Sequence, residues 1–270
     1  MCRLFGSRSQ LPSSVHRALV DEPNALRVQS REHRDGWGIG WWSEADAPPQ
    51  LVRSAAAAHA DDAFARSAAL VSAPAVIAHV RKASVGPVSL ENAHPFRWGP
   101  WLFAHNGTVT DFDRHRSRIE QAIDPAFLPV VVGETDSARC FALFLTRLAR
   151  LVDPAGDVPI AGAAQALAET VQTIAAITDP GAATPSATTF LVGNGRLMLA
   201  FRRGRSLFAA MRPERDGCRL AQLVVASERL SPVDPWEEVP MDTMIGVDAE
   251  LRLHRFTLEE ALPVRCTSAA

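Results

Sequence analysis

Two hydrophobic rhythms divide this chain. Short apolar or alternating runs of strand character occur at Cys2–Phe5, Ile39–Trp42, Leu51–Arg53, Ala75–Val80 and Trp101–Ala104. They return at Ala187–Val192, Arg196–Arg202, Leu207–Met211, Leu223–Ala226, Thr243–Val247 and Leu251–Phe256. Between these groups the period changes. Ile160, Ala164, Leu167, Val171 and Ile174 share one face of a helix over Ile160–Ile177, and Thr135 or Asp136 opens another running to about Leu151. Alanine-rich Asp61–Val71 predicts a further helix, and Ser13 or Ser14 is placed to cap one continuing toward Val20.

Punctuation separates these elements. Arg31–Gly38 reads as a shaped polar loop, and Gly86–Pro100 is broken by Pro87, Pro95, Gly99 and Pro100. His105-Asn106-Gly107 predicts a turn at the end of its strand, and Gly193-Asn194-Gly195 predicts a hairpin. Strands at both ends with helices mostly between them do not form a βαβ series, and no internal repeat is visible. The pattern predicts an α+β fold of two mainly antiparallel sheets covered by helices. One domain is expected over residues 1–262, with 263–270 as a peripheral tail.

Composition narrows the function. The chain has 270 residues, 47% hydrophobic and 21% charged, enough for a substantial core. A net charge of -2 gives no electrostatic reason to expect a nucleic acid or an anionic membrane. The opening MCRLFGSRSQLPSSVHR lacks the apolar stretch of a secretion signal, and no uninterrupted apolar run is long enough to span a membrane. The expected location is cytoplasmic. Cys2, Cys140, Cys218 and Cys266 are widely spaced and form no CxxC pair, which argues against a disulfide framework or a cysteine zinc site. His33, His79, His94 and His105 lack HxH or HExxH spacing, so no metal is expected. GxSxG, GxGxxG and GxxxxGKS motifs are absent, and no cofactor is expected either.

The chemistry begins at Cys2. Removal of Met1 leaves a thiol and a free α-amine on one residue, with ordinary pKa values near 8.5 and 8, so the chain terminus can act as base for its own nucleophile. Three later segments put polar groups beside ordered elements: His79-Val80-Arg81-Lys82-Ala83-Ser84, His105-Asn106-Gly107 and Gly133-Glu134-Thr135-Asp136-Ser137.

Taken in order, MCRLFG, HRDGWGIGWW, HVRKAS, LENAHPF, FAHNG and GETDS resemble the class II glutamine amidotransferases, a branch of the N-terminal-nucleophile hydrolases. Within them the chain looks most like the short, free-standing group that includes an amidohydrolase of ergothioneine biosynthesis. The resemblance implies a four-layer αββα sandwich and release of ammonia from the side-chain amide of L-glutamine. It implies Cys2 as nucleophile, its α-amine as base, Asn106 and Gly107 as the oxyanion hole, Arg81 as receptor of the substrate α-carboxylate and Asp136 as acceptor of its α-ammonium. Trp37, Ser84, His79 and His105 are candidate pocket residues, with Trp37 equally suited to a buried core. Glu91, Asn92 and His94 are candidates for ordering the loop beside Arg81.

No ammonia-using domain is recognisable in the sequence. The resemblance therefore leaves three readings: the glutaminase part of an amidotransferase with a separate ammonia-using synthase subunit, a free-standing amidohydrolase of a γ-glutamyl compound, and a catalytically silent binding protein that kept the fold.

Overall fold

The computed structural model describes residues 2–214 and 220–263. Two sheets face each other, and all neighbouring strands in both run antiparallel. The first is built from β1 (Arg3–Ser14), β2 (Trp37–Trp42), β3 (Gln50–Ser54), β4 (Ser72–Val80), β9 (Phe208–Pro213), β10 (Leu220–Ala226) and β11 (Trp236–Glu238), in the order β11-β9-β10-β1-β4-β2-β3. The second contains β5 (Phe96–Trp98), β6 (Trp101–Thr108), β7 (Ala187–Gly193), β8 (Met198–Arg202), β12 (Thr243–Val247) and β13 (Leu253–Thr257), in the order β13-β12-β8-β7-β6-β5.

Period-two alternation divides the core into three layers. Leu4, Trp42 and Ile77 of the first sheet meet Leu102, Ala104 and Leu191 of the second between the sheets. Phe5, Ile39 and Val80 face outward onto α1 (Leu26–Gln29) and α2 (Asp62–Leu70). On the far side, Phe103, Phe190 and Phe201 pack under α3 (Phe112–Gln121), α4 (Asp136–Ala149) and α5 (Ile160–Thr178). This is the αββα sandwich. By length and composition α5 is apolar enough to cross a membrane, but its buried face packs in this outer core with α4.

Several boundaries differ from the sequence reading. β1 extends well past Phe5, because pairing with β4 and β10 on both sides buries even Ser7, Arg8 and Ser9. Ser13 and Ser14 therefore end a strand rather than cap a helix. The turn over Arg17–Asp21 is of π type and has no side-chain cap. The turn expected at His105-Asn106-Gly107 is also overturned: β6 continues through Thr108, with Asn106 paired to Thr189 and Gly107 to Thr188. Phe96–Trp98 is a strand inside the segment read as irregular, and β11 was not anticipated. α3 was missed because only Phe112 and Ile119 are buried, too few apolar positions to print a helical stripe. The Gly193-Asn194-Gly195 hairpin is present, with Asn194 Oδ1 accepting the N–H groups of Arg196 and Leu197.

Candidate active site

The crevice between the sheets is polar at one end. Leu4 faces the other sheet, so Cys2, two residues earlier, belongs to the same face and lies just before β1. Its Sγ receives the Lys82 N–H at 3.4 Å and lies 3.5 Å from the Lys82 carbonyl oxygen. The residue is only 7% exposed. Burial pushes the thiol pKa up, while the Lys82 backbone and the Arg81 charge oppose that rise and Asp136 adds to it. The thiolate is thus costly here without a base nearby.

Arg81 follows β4 and is buried. Its Nη1 donates to the Pro87 carbonyl at 2.8 Å, and its Nη2 donates to those of Val85 and Gly86 at 2.8 and 3.3 Å. Burial lowers its pKa, and Cys2, Asp35 and Asp136 oppose that shift electrostatically. The Arg31–Gly38 segment frames it from behind. Gly36 O accepts the Arg81 N–H, Asp35 N donates to Arg81 O, and Asp35 Oδ2 accepts the Ala83 N–H at 2.8 Å. Asn92, the buried amide of LENAHPF, joins two loops by donating to Pro87 O and accepting from Glu134 N.

On the opposite wall, alternation in β6 sends Leu102 and Ala104 into the crevice and Phe103 toward the helices. Asn106 follows the first pair. It is 1% exposed, its Nδ2 donates to Ser227 Oγ at 3.1 Å, and its Oδ1 is buried without a partner among the described residues. Gly107 is a glycine for want of room: a Cβ there would strike the Ala187 carbonyl oxygen and the His105 ring.

Asp136 opens α4 but does not cap it, since Thr135 accepts the Ala138 N–H. The buried Asp136 carboxylate instead accepts the N–H groups of Val109 and Ser137, each at 2.8 Å. His105 lies on the helix side of β6, with Nδ1 2.8 Å from Ser137 Oγ, while His79 Nε2 lies 3.2 Å from the His105 carbonyl oxygen. Burial lowers the pKa of both histidines, to about 3 for His79. They brace the site as neutral rings. His94 stacks on His79 with centroids 4.2 Å apart. Ser84 Oγ is 2.8 Å from Thr108 Oγ1 at the rim of an open depression that also includes Val85 and Phe112.

Trp37 takes the core alternative. It packs with Phe64 in the outer layer and donates to Asp61 Oδ2 at 2.9 Å, on the opposite face of the sheet from the crevice. It does not cover the site. Met1, Cys218 and Cys266 lie outside the described residues. Among those described, no group of three or more His, Cys, Asp or Glu side chains is placed to hold a metal ion. Sequence reasoning gave Ser227 and Glu228 no role. Ser227 meets Asn106, and Glu228 pairs with Arg3 at 3.1 Å while Arg3 also donates to the Cys2 carbonyl.

A family model described as class-II glutamine amidotransferases matches residues 1–217. The gamma-glutamyl-hercynylcysteine sulfoxide hydrolase of Mycobacterium tuberculosis (strain CDC 1551 / Oshkosh) is 32% identical over 258 residues, covering 92% of this chain and 93% of that one. Among solved structures, a glutamine aminotransferase class-II domain protein from Silicibacter pomeroyi superposes with a TM-score of 0.67 at 21% identity, covering 95% and 99% of the two chains. The glutamine phosphoribosylpyrophosphate amidotransferase of B. subtilis gives 0.64 at 16% identity, covering 95% of this chain but 49% of that one.

Proposed function

The chain belongs to the class-II glutamine amidotransferases, and from that membership we propose that it hydrolyses the γ-amide of a γ-glutamyl compound through a thioester on Cys2. The observation that carries this reading is the gathering of four buried groups between the sheets: the Arg81 and Asp136 charges act on the Cys2 thiol, and Asn106 is tied through Ser227 to Leu4, two residues from it. Excision of Met1 turns the Cys2 nitrogen into a primary amine, which takes the thiol proton as sulfur attacks Cδ of the substrate. Asn106 Nδ2 and the Gly107 N–H receive the oxyanion. The protonated amine then returns its proton to the departing nitrogen, and the C–N bond breaks. Water attacks the thioester, freeing glutamate and the thiol. Arg81 and Asp136 recognise the α-carboxylate and α-ammonium, so a free amino-acid end is required and a glutamine inside a protein is refused.

L-Glutamine is the simplest substrate of this class. The near full-length likeness to the mycobacterial hydrolase favours a substituted γ-glutamyl amide, whose leaving group is an amine larger than ammonia. The second reading, a glutaminase serving a separate ammonia-using subunit, is supported by the family membership itself. Intact mass with and without a glutamine-like alkylating analogue tests the core of the proposal. One methionine should be missing and one label should sit on Cys2. Active protein that keeps Met1, or a label on another cysteine, would overturn it. Glutamine and γ-glutamyl amides assayed side by side, with and without candidate partners, then separate the two readings.

A further inference from the structure

We propose that Ser227 is a positioning residue that aims the Asn106 carboxamide at the reacting carbonyl, a role that rests on the hydrolytic reading above. β10 pairs with β1 up to Phe5 opposite Ala226, and the ladder continues one step further, where Ser227 N donates to Leu4 O at 3.0 Å. Its hydroxyl performs a different task. Oγ accepts the Leu4 N–H at 3.0 Å, two residues from the nucleophile, and accepts Asn106 Nδ2 at 3.1 Å from the opposite sheet. Ser227 is 1% exposed, so neither bond competes with bulk water.

The strand that follows Cys2 and the strand carrying Asn106 are therefore joined between the sheets by one oxygen. The geometry has a consequence for catalysis. An asparagine donates only through Nδ2, and a flipped carboxamide would present an oxygen to a developing oxyanion. With the Leu4 N–H on one lone pair, Oγ accepts one Asn106 N–H on the other. The second Asn106 N–H is not taken up by any described residue, and Oδ1 is left without a partner there. In the observed orientation Ser227 Oγ takes one amide N–H and sets the distance of Asn106 from the strand that follows Cys2. Its hydroxyl bonds Leu4 and Asn106 rather than Cys2, so its effect on the reaction runs through Asn106.

Steady-state kinetics of the full chain on whichever γ-glutamyl amide the wild type turns over fastest test this, with Ser227→Ala, Asn106→Ala and the double variant compared. Ser227→Ala should lower kcat about 10- to 100-fold with KM within about twofold, Asn106→Ala should cost about 10²–10³-fold, and the double variant should match Asn106→Ala alone. Ser227→Thr, which keeps the acceptor, should recover part of the loss, whereas Ser227→Cys, similar in size but a poor acceptor, should not. Thermal unfolding of each variant identifies those that are folded, and Ser227→Cys carries the test if Ser227→Ala is not. A loss that falls on KM, that multiplies with Asn106→Ala, or that is absent in a folded variant overturns the inference. If Cys2→Ala and Asn106→Ala themselves keep full activity, the hydrolytic reading fails instead.

Discussion

Cys2 and Cys140 are both buried free thiols, and burial pushes the pKa of both up, yet they occupy different chemical worlds. Cys140 sits in α4 among Phe141, Leu143 and Phe144, in the layer between the second sheet and its helices. Its neighbours are a packed apolar core, and although the Arg139 charge opposes the rise, burial and Asp136 hold the thiol well above its ordinary value. Cys2 sits at the polar end of the inter-sheet crevice, with the Lys82 N–H on its sulfur and the Arg81 charge acting against burial. Burial is common to both and decides nothing. A buried thiol becomes a nucleophile through the donors, the charges and the base that face it.

The sharpest way to break the comparison is to remove each sulfur in turn. Cys2→Ala should fold and lose about 10⁴-fold or more of its γ-glutamyl hydrolysis. Cys140→Ala should keep activity within about threefold while losing about 1 kcal/mol of stability through lost core packing. Ammonia or amine release together with thermal unfolding checks both. Near-normal turnover by Cys2→Ala would remove the nucleophile assignment.

The next effect concerns the charges of the crevice. Arg81→Ala and Asp136→Ala should each lower kcat/KM by about 10²–10³-fold, the usual range for truncating one partner of a buried charged contact. The size of the loss should depend on the substrate. Glutaric acid monoamide, which is glutamine without its α-amine, should lose less than glutamine does when Asp136 is replaced. Arg81→Lys should rescue little, because an ammonium cannot reproduce the fork that holds the Val85–Pro87 carbonyls. Equal losses on matched substrates with and without the charged group would show that these residues only hold loops.

Much of this region was legible in the sequence for a physical reason. Polar segments beside ordered elements marked Cys2, His79–Ser84, His105–Gly107 and Gly133–Ser137 together, and the family resemblance then singled out Arg81, Asn106 and Asp136 within them. Strand ends were less legible. His105-Asn106-Gly107 looks like a turn because asparagine and glycine favour turns locally, but pairing with β7 overrides that preference, and the glycine serves a close approach to Ala187. Trp37 illustrates a different limit. The family resemblance placed an aromatic near the site, but strand parity, which sends Trp37 outward with Val80, can be assigned only once the register is known. The role of Ser227 was illegible because it is a contact between residues 121 positions apart.

The histidines extend the comparison to stability. His79 is fully buried, and burial lowers its pKa from its ordinary 6.5 to about 3. In the unfolded chain it takes a proton below about 6.5, whereas in the folded protein it stays neutral until about 3. The unfolded state therefore binds more protons across that window, so stability is complete above pH 6.5 and falls as pH drops toward 3. The slope is about 1.4 kcal/mol per pH unit for each such histidine. His94 and His105 shift in the same direction and steepen it. Urea unfolding at pH 7.5, 6 and 5 should show the decline, and His79→Gln should reduce the slope by about one proton. An unchanged slope in that variant would mean that His79 is protonated in the native state.

The smallest effect lies at the half-exposed ion pair beside Cys2, and it tests how far the buried polar region extends. Arg3 Nη2 pairs with Glu228 at 3.1 Å while Nη1 donates to the Cys2 carbonyl, but the two side chains keep 18% and 35% of their surface exposed. Solvent screens such a pair, and its coupling should be about 0.5 kcal/mol. A double-mutant cycle of Arg3→Ala and Glu228→Ala on unfolding free energy measures it. Arg3→Ala should also lower kcat/KM about two- to fivefold, because the Cys2 carbonyl loses a donor on the residue whose sulfur and amine must stay aligned. Glu228→Ala should have a smaller effect, since Arg3 can still reach that carbonyl. A coupling above about 2 kcal/mol would place the pair in the low-dielectric interior and extend the buried polar region past Ser227 to Glu228. A coupling near zero with normal kinetics would end it at Ser227, leaving Leu4 and Asn106 as the last groups through which the first sheet acts on the chemistry.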